Sequence, residues 1–315
     1  MDAQPFIKEI ARGREGARGL SYEAATRMFD AMFGGGFADV ELGAVLMALR
    51  MKGECLEEVR AGVDVLEPLL RVVPVDAARP VVSIPSYNGA RHTANLVPLL
   101  ACLLADAGVQ VVVHGVTADP KRTTTAEIMQ AMGLGPGGVD GAEAAIARGD
   151  PAFVPVHALS SRLGALLELR RQLGVRNVGH TIAKLLNPTD APHCLRVACF
   201  THPEFAALQH AYFERTGRPG MVLRGTEGEV VASTRRAAQI DWVHDGTTEV
   251  LVPASAGPVR EIPALPEPHD APGPARWIQS VLAGERPVPG PVEQQVGAVL
   301  QALGVRPRLR AAVAA

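Results

Sequence analysis

Cysteine is sparse in this chain: four in 315 residues, at positions 55, 102, 194 and 199, with no CxxC pair. That excludes a disulfide framework and a dithiol redox motif. The apolar neighbours of each cysteine point to reduced thiols in a reducing compartment. His193, Cys194, Cys199 and His202 are close in sequence. Residues 195–200 read as a strand between them, which separates the side chains, so no metal site is expected there. Long apolar runs are lacking too. No stretch of about 18 residues escapes a charge, which excludes a membrane-spanning helix. The opening MDAQPFIKEIARG has no basic segment followed by an apolar one. No secretory leader is therefore expected, and the chain reads as cytoplasmic. Charge of one sign is missing as well: 31 Lys and Arg face 33 Asp and Glu, a formal net of -2. A polyanionic partner would have to be met by local charge, not by the total. Neither internal repeats nor low-complexity tracts occur.

Hydrophobic residues make up 47% of the chain, enough core for one large domain or two modest ones. The N-terminal part carries helical periodicity. Ser21 caps a helix through Met32, and Gly34-Gly35-Gly36 ends it. Helices over 38–51 and 54–71 follow, the second with Leu56, Val59, Val63, Leu66 and Leu70 on one face. From residue 79 the pattern changes to βα alternation. Residues 81–84 and 111–113 are short all-apolar strands, suited to a parallel sheet covered on both faces, with a helix over 96–107 between them. Strands are expected at 153–156, 195–200 and 221–223, and a hairpin at 241–244 and 247–252. Helices are expected over 123–132, 157–173, 181–186, 203–214, 277–282 and 292–303. Residues 133–141 read as a flexible connection and 261–274 as proline-rich and irregular. The chain is thus a small helical part followed by a larger α/β part.

The loop IPSYNGARHTANL, residues 84–96, joins a buried strand to a buried helix, where α/β proteins hold ligands. It offers Tyr87, Asn88, Gly89, Arg91 and Asn95. A diphosphate needs several backbone N–H groups at close range, and glycine is the residue that lets the backbone approach. Here Pro85 has no N–H, Tyr87 adds bulk and Gly89 is the remaining glycine, so pyrophosphate is not expected to be gripped.

The order of elements, His114-Gly115 after the second strand, and LRRQLGVRNVGHTIAKLLNP over 169–188 resemble the anthranilate phosphoribosyltransferases and related nucleoside phosphorylases. The likeness extends over nearly the whole chain. IPSYNGARHTANL, VVVHGV and GVRNVGHTIAKLL look like the YbiB-like branch of that superfamily, whose members bind nucleic acid. The resemblance implies a small N-terminal all-helical domain, residues 1–76, joined in space by helices near 158–190. It implies a larger α/β domain, 77–315, with a mostly parallel central sheet covered by helices. It further implies a homodimer paired through the helical parts, and a basic groove for DNA or RNA with little sequence preference. The enzymes hold Mg²⁺ and phosphoribosyl pyrophosphate with a GTGGD-type loop, a lysine before HG, an asparagine-arginine after it and an adjacent acidic pair. This chain has Val113, Val116-Thr117, and Glu227 and Glu229 separated by Gly228. Glu227 and Glu229 are therefore weak metal candidates, and no cofactor is expected. The alternative is an active Mg-dependent phosphoribosyltransferase with another aromatic acceptor. It is supported by the retained plan and by Arg170, which matches the substrate-binding arginine of the enzymes.

Charge is segregated. Residues 160–190 carry Arg162, Arg170, Arg171, Arg176 and Lys184 against two acids, whereas residues 1–71 carry nine basic and twelve acidic side chains. His180 and Lys184 are four apart, on one helix face. Lys121 and Arg122, before three threonines at a helix start, form a second cluster, and Arg91 and Arg235-Arg236 are further candidates. Such groups bind phosphates and give affinity without reading sequence. Taken singly, each is an ordinary solvated pair; their concentration is what points to a polyanion. Tyr87 either stacks on an unpaired base or packs over its loop. His114 is expected to satisfy a local hydrogen bond rather than to perform acid–base work.

Overall fold

The computed structural model describes residues 2–13, 15–236, 238–255, 259 and 264–306. Four helices open the chain: α1 (Gln4–Ile10), α2 (Tyr22–Gly34), α3 (Asp39–Lys52) and α4 (Leu56–Leu66). The Ser21 hydroxyl caps α2 by accepting from the Ala24 N–H, and Gly35 closes it at φ 72°. Phe29, Phe33, Val59 and Val63 form the seam of α2 and α4.

The α/β part begins with β1 (Val81–Ser86), α5 (Val97–Asp106), β2 (Gln110–Gly115), α6 (Thr125–Ala131), α7 (Gly138–Arg148) and β3 (Ala152–Pro155). Four short helices follow: α8 (Val156–Leu159), α9 (Ser161–Glu168), α10 (Arg170–Leu173) and α11 (Val178–Ala183). The remainder is β4 (Leu195–Phe200), α12 (Pro203–Thr216), β5 (Gly220–Thr226), β6 (Glu229–Ala232), β7 (Ile240–His244), β8 (Thr247–Val252), α13 (Pro272–Leu282) and α14 (Gly290–Ala302). The sheet runs β3-β2-β1-β4-β5-β7-β8, with β6 on β5. Its first five strands are parallel, and β7 and β8 are antiparallel. Alternate side chains feed two cores. Val112, Val154, Ala198 and Val222 face the opening helices, and Val82, Ile84, Val113 and Val197 face α5, α13 and α14. No helix among the described residues is long and apolar enough to cross a membrane.

Several boundaries differ from the sequence reading. The helix expected over 157–173 is three pieces; Ser160, extended at φ -156°, separates α8 from α9 and caps α9 through the Leu163 N–H. The helix expected at 181–186 starts earlier, capped by Asn177, whose side chain accepts from the Gly179 N–H. α7 was hidden among glycines; its buried Val139, Ala142 and Ile146 are the periodic signal. Part of the expected irregular stretch, 261–263, lies outside the described residues.

The opening helices dock against α11 and α12. Gly62 leaves room for Ile182, which a Cβ there would strike. Around this contact Arg218 pairs with Asp64 (2.7 Å) and Arg196 with Glu67 (3.1 Å), and the Asn187 N–H donates to Glu67 (2.8 Å). β1 lies between β2 and β4, so chain order reverses at β1/β4. The crevice outside the carboxyl ends of such a pair is where open α/β sheets bind ligands.

Candidate functional site

The loop after β1 sits at that crevice, and its amides are occupied. Glu229 Oε1 accepts from the N–H groups of Asn88 and Gly89, both at 2.7 Å. The Glu227 carboxylate accepts from the N–H groups of Arg91 (3.0 Å), His92 (2.8 Å) and Thr93 (2.9 Å), and from the Thr93 hydroxyl (3.1 Å). Arg122 closes the arrangement on Glu227 (3.4 Å) and on the Gly89 carbonyl (3.1 Å). Converging amides of this kind form an anion nest. The expectation that Pro85 and Tyr87 deprive the loop of donors is therefore corrected: the donors exist, and the chain's own carboxylates fill them. Glu227 and Glu229 arrive with the two-residue turn between β5 and β6. Glu227 (φ 52°) and Gly228 (φ 86°) are both left-handed, as a tight hairpin requires. A Cβ at Gly228 would strike the Asn88 amide.

The two carboxylates differ electrostatically. Burial pushes the Glu227 carboxyl up, but the amides of His92, Arg91 and Thr93 pull it further down, below its usual range. Glu229 is wholly buried, and burial outweighs its amide bonds and Lys184, raising its pKa. Ser86 lies beside it but donates to Thr125 Oγ1 (2.7 Å), leaving Glu229 Oε2 without a hydrogen-bond partner. The weak metal candidacy of both acids is corrected too. Both Glu227 oxygens and Glu229 Oε1 face N–H donors, which a cation would repel, and no group of three ligands suited to a metal occurs among the described residues. The residues present thus do not fit Mg²⁺ with phosphoribosyl pyrophosphate.

Tyr87 is 1% exposed and cannot stack on a base. Its hydroxyl donates to His114 Nδ1 (2.8 Å), His114 Nε2–H donates to Ser83 Oγ (3.2 Å), and Ser83 donates to the Leu186 carbonyl (3.4 Å). That network assigns the tautomer. Burial holds the His114 pKa down to about 3, so the ring is a neutral relay inside the core. Asn95 is structural: it accepts from the Val97 N–H (3.1 Å) and donates to Thr125 (2.9 Å). Gly115 is required because any Cβ would strike the Ser86 carbonyl. Tyr87→Phe is expected to cost about 1 kcal/mol in urea unfolding, for one lost buried hydrogen bond. Oligonucleotide affinity should be unchanged, and a large loss would put Tyr87 back in contact with ligand.

The cations divide. Arg162 lies apart from the crevice, donating to the Phe33 carbonyl beside Leu66 and Leu69. Arg170 pairs with Asp119 (2.8 Å), and Arg171 pairs with Glu168 (2.9 Å) at the surface. Burial and the neighbouring Arg176 and Arg170 lower the His180 pKa to about 3, so His180 is a neutral side chain and not the cation its spacing to Lys184 suggested. Lys184 donates to the Gly228 carbonyl (3.2 Å), and Arg91 touches His92 (2.9 Å). At this edge, among the described residues, Lys121, Arg176, Arg224 and Arg236 have side chains with no hydrogen bond or ion pair.

Four depressions run together along this edge. One at Arg91, Lys121 and Arg122 shares Asp119 and Pro120 with one at Arg170 and Arg171. That one shares His180 with the crevice cavity of Arg176 and Lys184, which shares Phe200 with a pocket holding Arg224 and Arg236. Sequence reasoning missed Arg224, which stands alone at the end of β5 with no cluster to mark it.

Residues 4–67 match the helical bundle domain of a glycosyl transferase family. The chain is 38% identical over 308 residues to YbiB of Escherichia coli (strain K12), a protein described as uncharacterized, covering 96% of this chain and 95% of the relative. It is 28% identical over 273 residues to the anthranilate phosphoribosyltransferase of Anaeromyxobacter sp. (strain Fw109-5), covering 85% of this chain and 80% of that one. Among solved structures, anthranilate phosphoribosyltransferase from Thermus thermophilus superposes with a TM-score of 0.76 at 26% identity, over 98% of this chain and 91% of the other. The yeast (Saccharomyces cerevisiae) enzyme, solved in complex with PRPP and Mg, superposes at 0.69 with 14% identity, over 96% and 89%, a likeness of fold alone. The full-length match to YbiB and the shared architecture place this chain in the YbiB-like branch of the anthranilate phosphoribosyltransferase superfamily, on a phosphoribosyltransferase-like scaffold.

Proposed function

We propose that this chain binds DNA or RNA through phosphate contacts with little sequence preference, and performs no phosphoribosyl transfer. One observation carries the reading: Glu227 and Glu229 fill the loop amides that would hold a diphosphate, while unpaired cations line the depressions alongside. A site whose anion-binding amides are already taken needs side-chain cations to attract another anion. Spread over three of the four linked depressions, they suit a repeating phosphate backbone better than one small donor.

The test is a fluorescence-anisotropy titration at several salt concentrations. The log–log slope should be about -0.7 per phosphate contacted on single strands and about -0.9 on duplex. Affinity that ignores salt would refute the proposal. Calorimetry with phosphoribosyl pyrophosphate and Mg²⁺ should give no binding heat; a saturable signal would restore the transferase reading.

Neutralising Lys121, Arg176 and Arg224 to glutamine should weaken every sequence alike. Each lost single-strand contact is worth about fourfold at physiological salt, so the triple variant should lose roughly 50-fold. A loss confined to one sequence would contradict phosphate-only recognition.

We infer that the working form is a homodimer paired through the helical part. Val40, Ala44, Met47 and Met51 share one face of α3, and Val40 and Met51 are 85% and 80% exposed. Sedimentation should give twice the chain mass, and Met51→Glu should shift it toward the monomer.

A further inference from the structure

We propose that the backbone amides of Arg91, His92 and Thr93 are a further phosphate position of the groove, held by Glu227 in the free protein and yielded to a strand phosphate when nucleic acid binds. The inference rests on the nucleic-acid reading above and adds to it how the groove is regulated.

The donor set suits an anion with two oxygens. Glu227 Oε1 accepts from the His92 N–H (2.8 Å), the Thr93 N–H (2.9 Å) and the Thr93 hydroxyl (3.1 Å). Oε2 accepts from the Arg91 N–H (3.0 Å) and from Arg122 Nη1 (3.4 Å). Five donors thus meet one singly charged group whose two oxygens form a fork. The two non-bridging oxygens of a phosphodiester also share one negative charge, so the same donors fit it. In the free protein the carboxylate stands in for that phosphate.

The two acids of the turn are not equally held. Glu229 is 1% exposed and accepts from Asn88 and Gly89 inside the core. The Glu227 side chain is 15% exposed and belongs to the two-residue β5–β6 turn. Rotation about its own side-chain bonds carries it into solvent and moves no core residue. The space it vacates opens to solvent, because the side chain that fills it is itself partly exposed.

This position adjoins the cations. Arg91 and Arg122 line the depression that holds Lys121, and Gly228 of the same turn lines the crevice cavity with Arg176 and Lys184. A strand anchored on those side chains presents its next phosphate to the turn at high effective concentration, as an intramolecular competitor. A free sugar diphosphate has no such anchor. To reach the amides of Asn88 and Gly89 it would have to dislodge buried Glu229 as well. Glu227 therefore opposes its ligand, and withdrawing it should tighten binding, the reverse of what losing a purely structural acid would do.

The experiment compares the wild type with Glu227→Ala and Glu227→Asp, by anisotropy titration with one single-stranded oligonucleotide at several salt concentrations. Glu227→Ala removes the competitor. Glu227→Asp keeps the charge on the turn but is a methylene too short to meet the same donors. Both should bind about tenfold to hundredfold tighter, the net worth of hydrogen bonds to a charged group, and keep a steep salt dependence. Unfolding curves verify that they fold. Should either unfold, the Glu227 carboxyl carbon resonance of the wild type decides. On saturation with the oligonucleotide it should move to that of a solvent-exposed glutamate; a resonance that stays put overturns the inference. A gain by Glu227→Ala alone marks simple relief of charge repulsion and overturns the displacement. No gain by Glu227→Ala overturns it too, and leaves the groove reading intact. Absence of oligonucleotide binding by all three proteins overturns both.

Discussion

Acidification from about pH 8 to about pH 5 is expected to cost the fold roughly 4 kcal/mol through two histidines, about 2 kcal/mol each. His114 is held down to about 3 by burial, and His180 to about 3 by burial together with Arg176 and Arg170. In the unfolded chain both imidazoles take up protons near their ordinary 6.5. Below that the unfolded state binds more protons than the folded one. Stability is therefore complete above the unfolded pKa and falls as pH drops toward the folded value. Glu229 works in the opposite sense, because burial raises its carboxyl and a raised carboxyl loses stability as pH climbs. Comparison with a variant isolates the histidine contribution: His180→Gln should remove about half of the pH dependence between those limits. Urea unfolding at a series of pH values checks this, and a curve unchanged by the substitution would mean that His180 titrates normally in the folded state.

Glu229→Ala is expected to be among the most damaging single substitutions, at about 3–5 kcal/mol. It leaves the N–H groups of Asn88 and Gly89 without an acceptor inside the core and opens a void beneath the loop. Buried unsatisfied donors cost about 1–3 kcal/mol each. Glu229→Gln keeps an acceptor of the same shape and should cost about 1 kcal/mol, since protonated, ionised or amide forms can all accept from two amides. The pair also tests the anion nest. With the resident carboxylate removed, inorganic phosphate should raise the unfolding midpoint of Glu229→Ala by more than it raises that of the wild type. If Glu229→Ala were as stable as wild type, the turn between β5 and β6 would not be holding the loop. The same variant links stability to function, because a phosphate-responsive loop would be a step back toward the small-donor site of the enzymes.

Local chemistry made much of this protein legible from the chain alone. Ser21 and Gly35 bracket α2 because a hydroxyl cap and a left-handed glycine act within a few residues of themselves. The unalternated valines of β1 and β2 announced a sheet covered on both sides, and the β7–β8 hairpin followed from its turn. HG and the segment 169–188 carried the superfamily, since those residues report a scaffold. What only the tertiary structure decided lies in contacts between distant segments. Glu229 meets Gly89 across 140 positions, and no pattern in GTEGE shows that its acids would stand where a diphosphate should. Tyr87 and His180 look like ligand-facing groups at their sequence spacing, yet burial turns one into a hydrogen-bond donor to His114 and holds the other neutral. Charge composition could locate cations along the chain, but whether Arg176 is free or Arg170 is spent on Asp119 depends on which acids fold against them. Electrostatic pairing and desolvation are long-range in sequence and short-range in space, and for that reason only the folded chain fixes them.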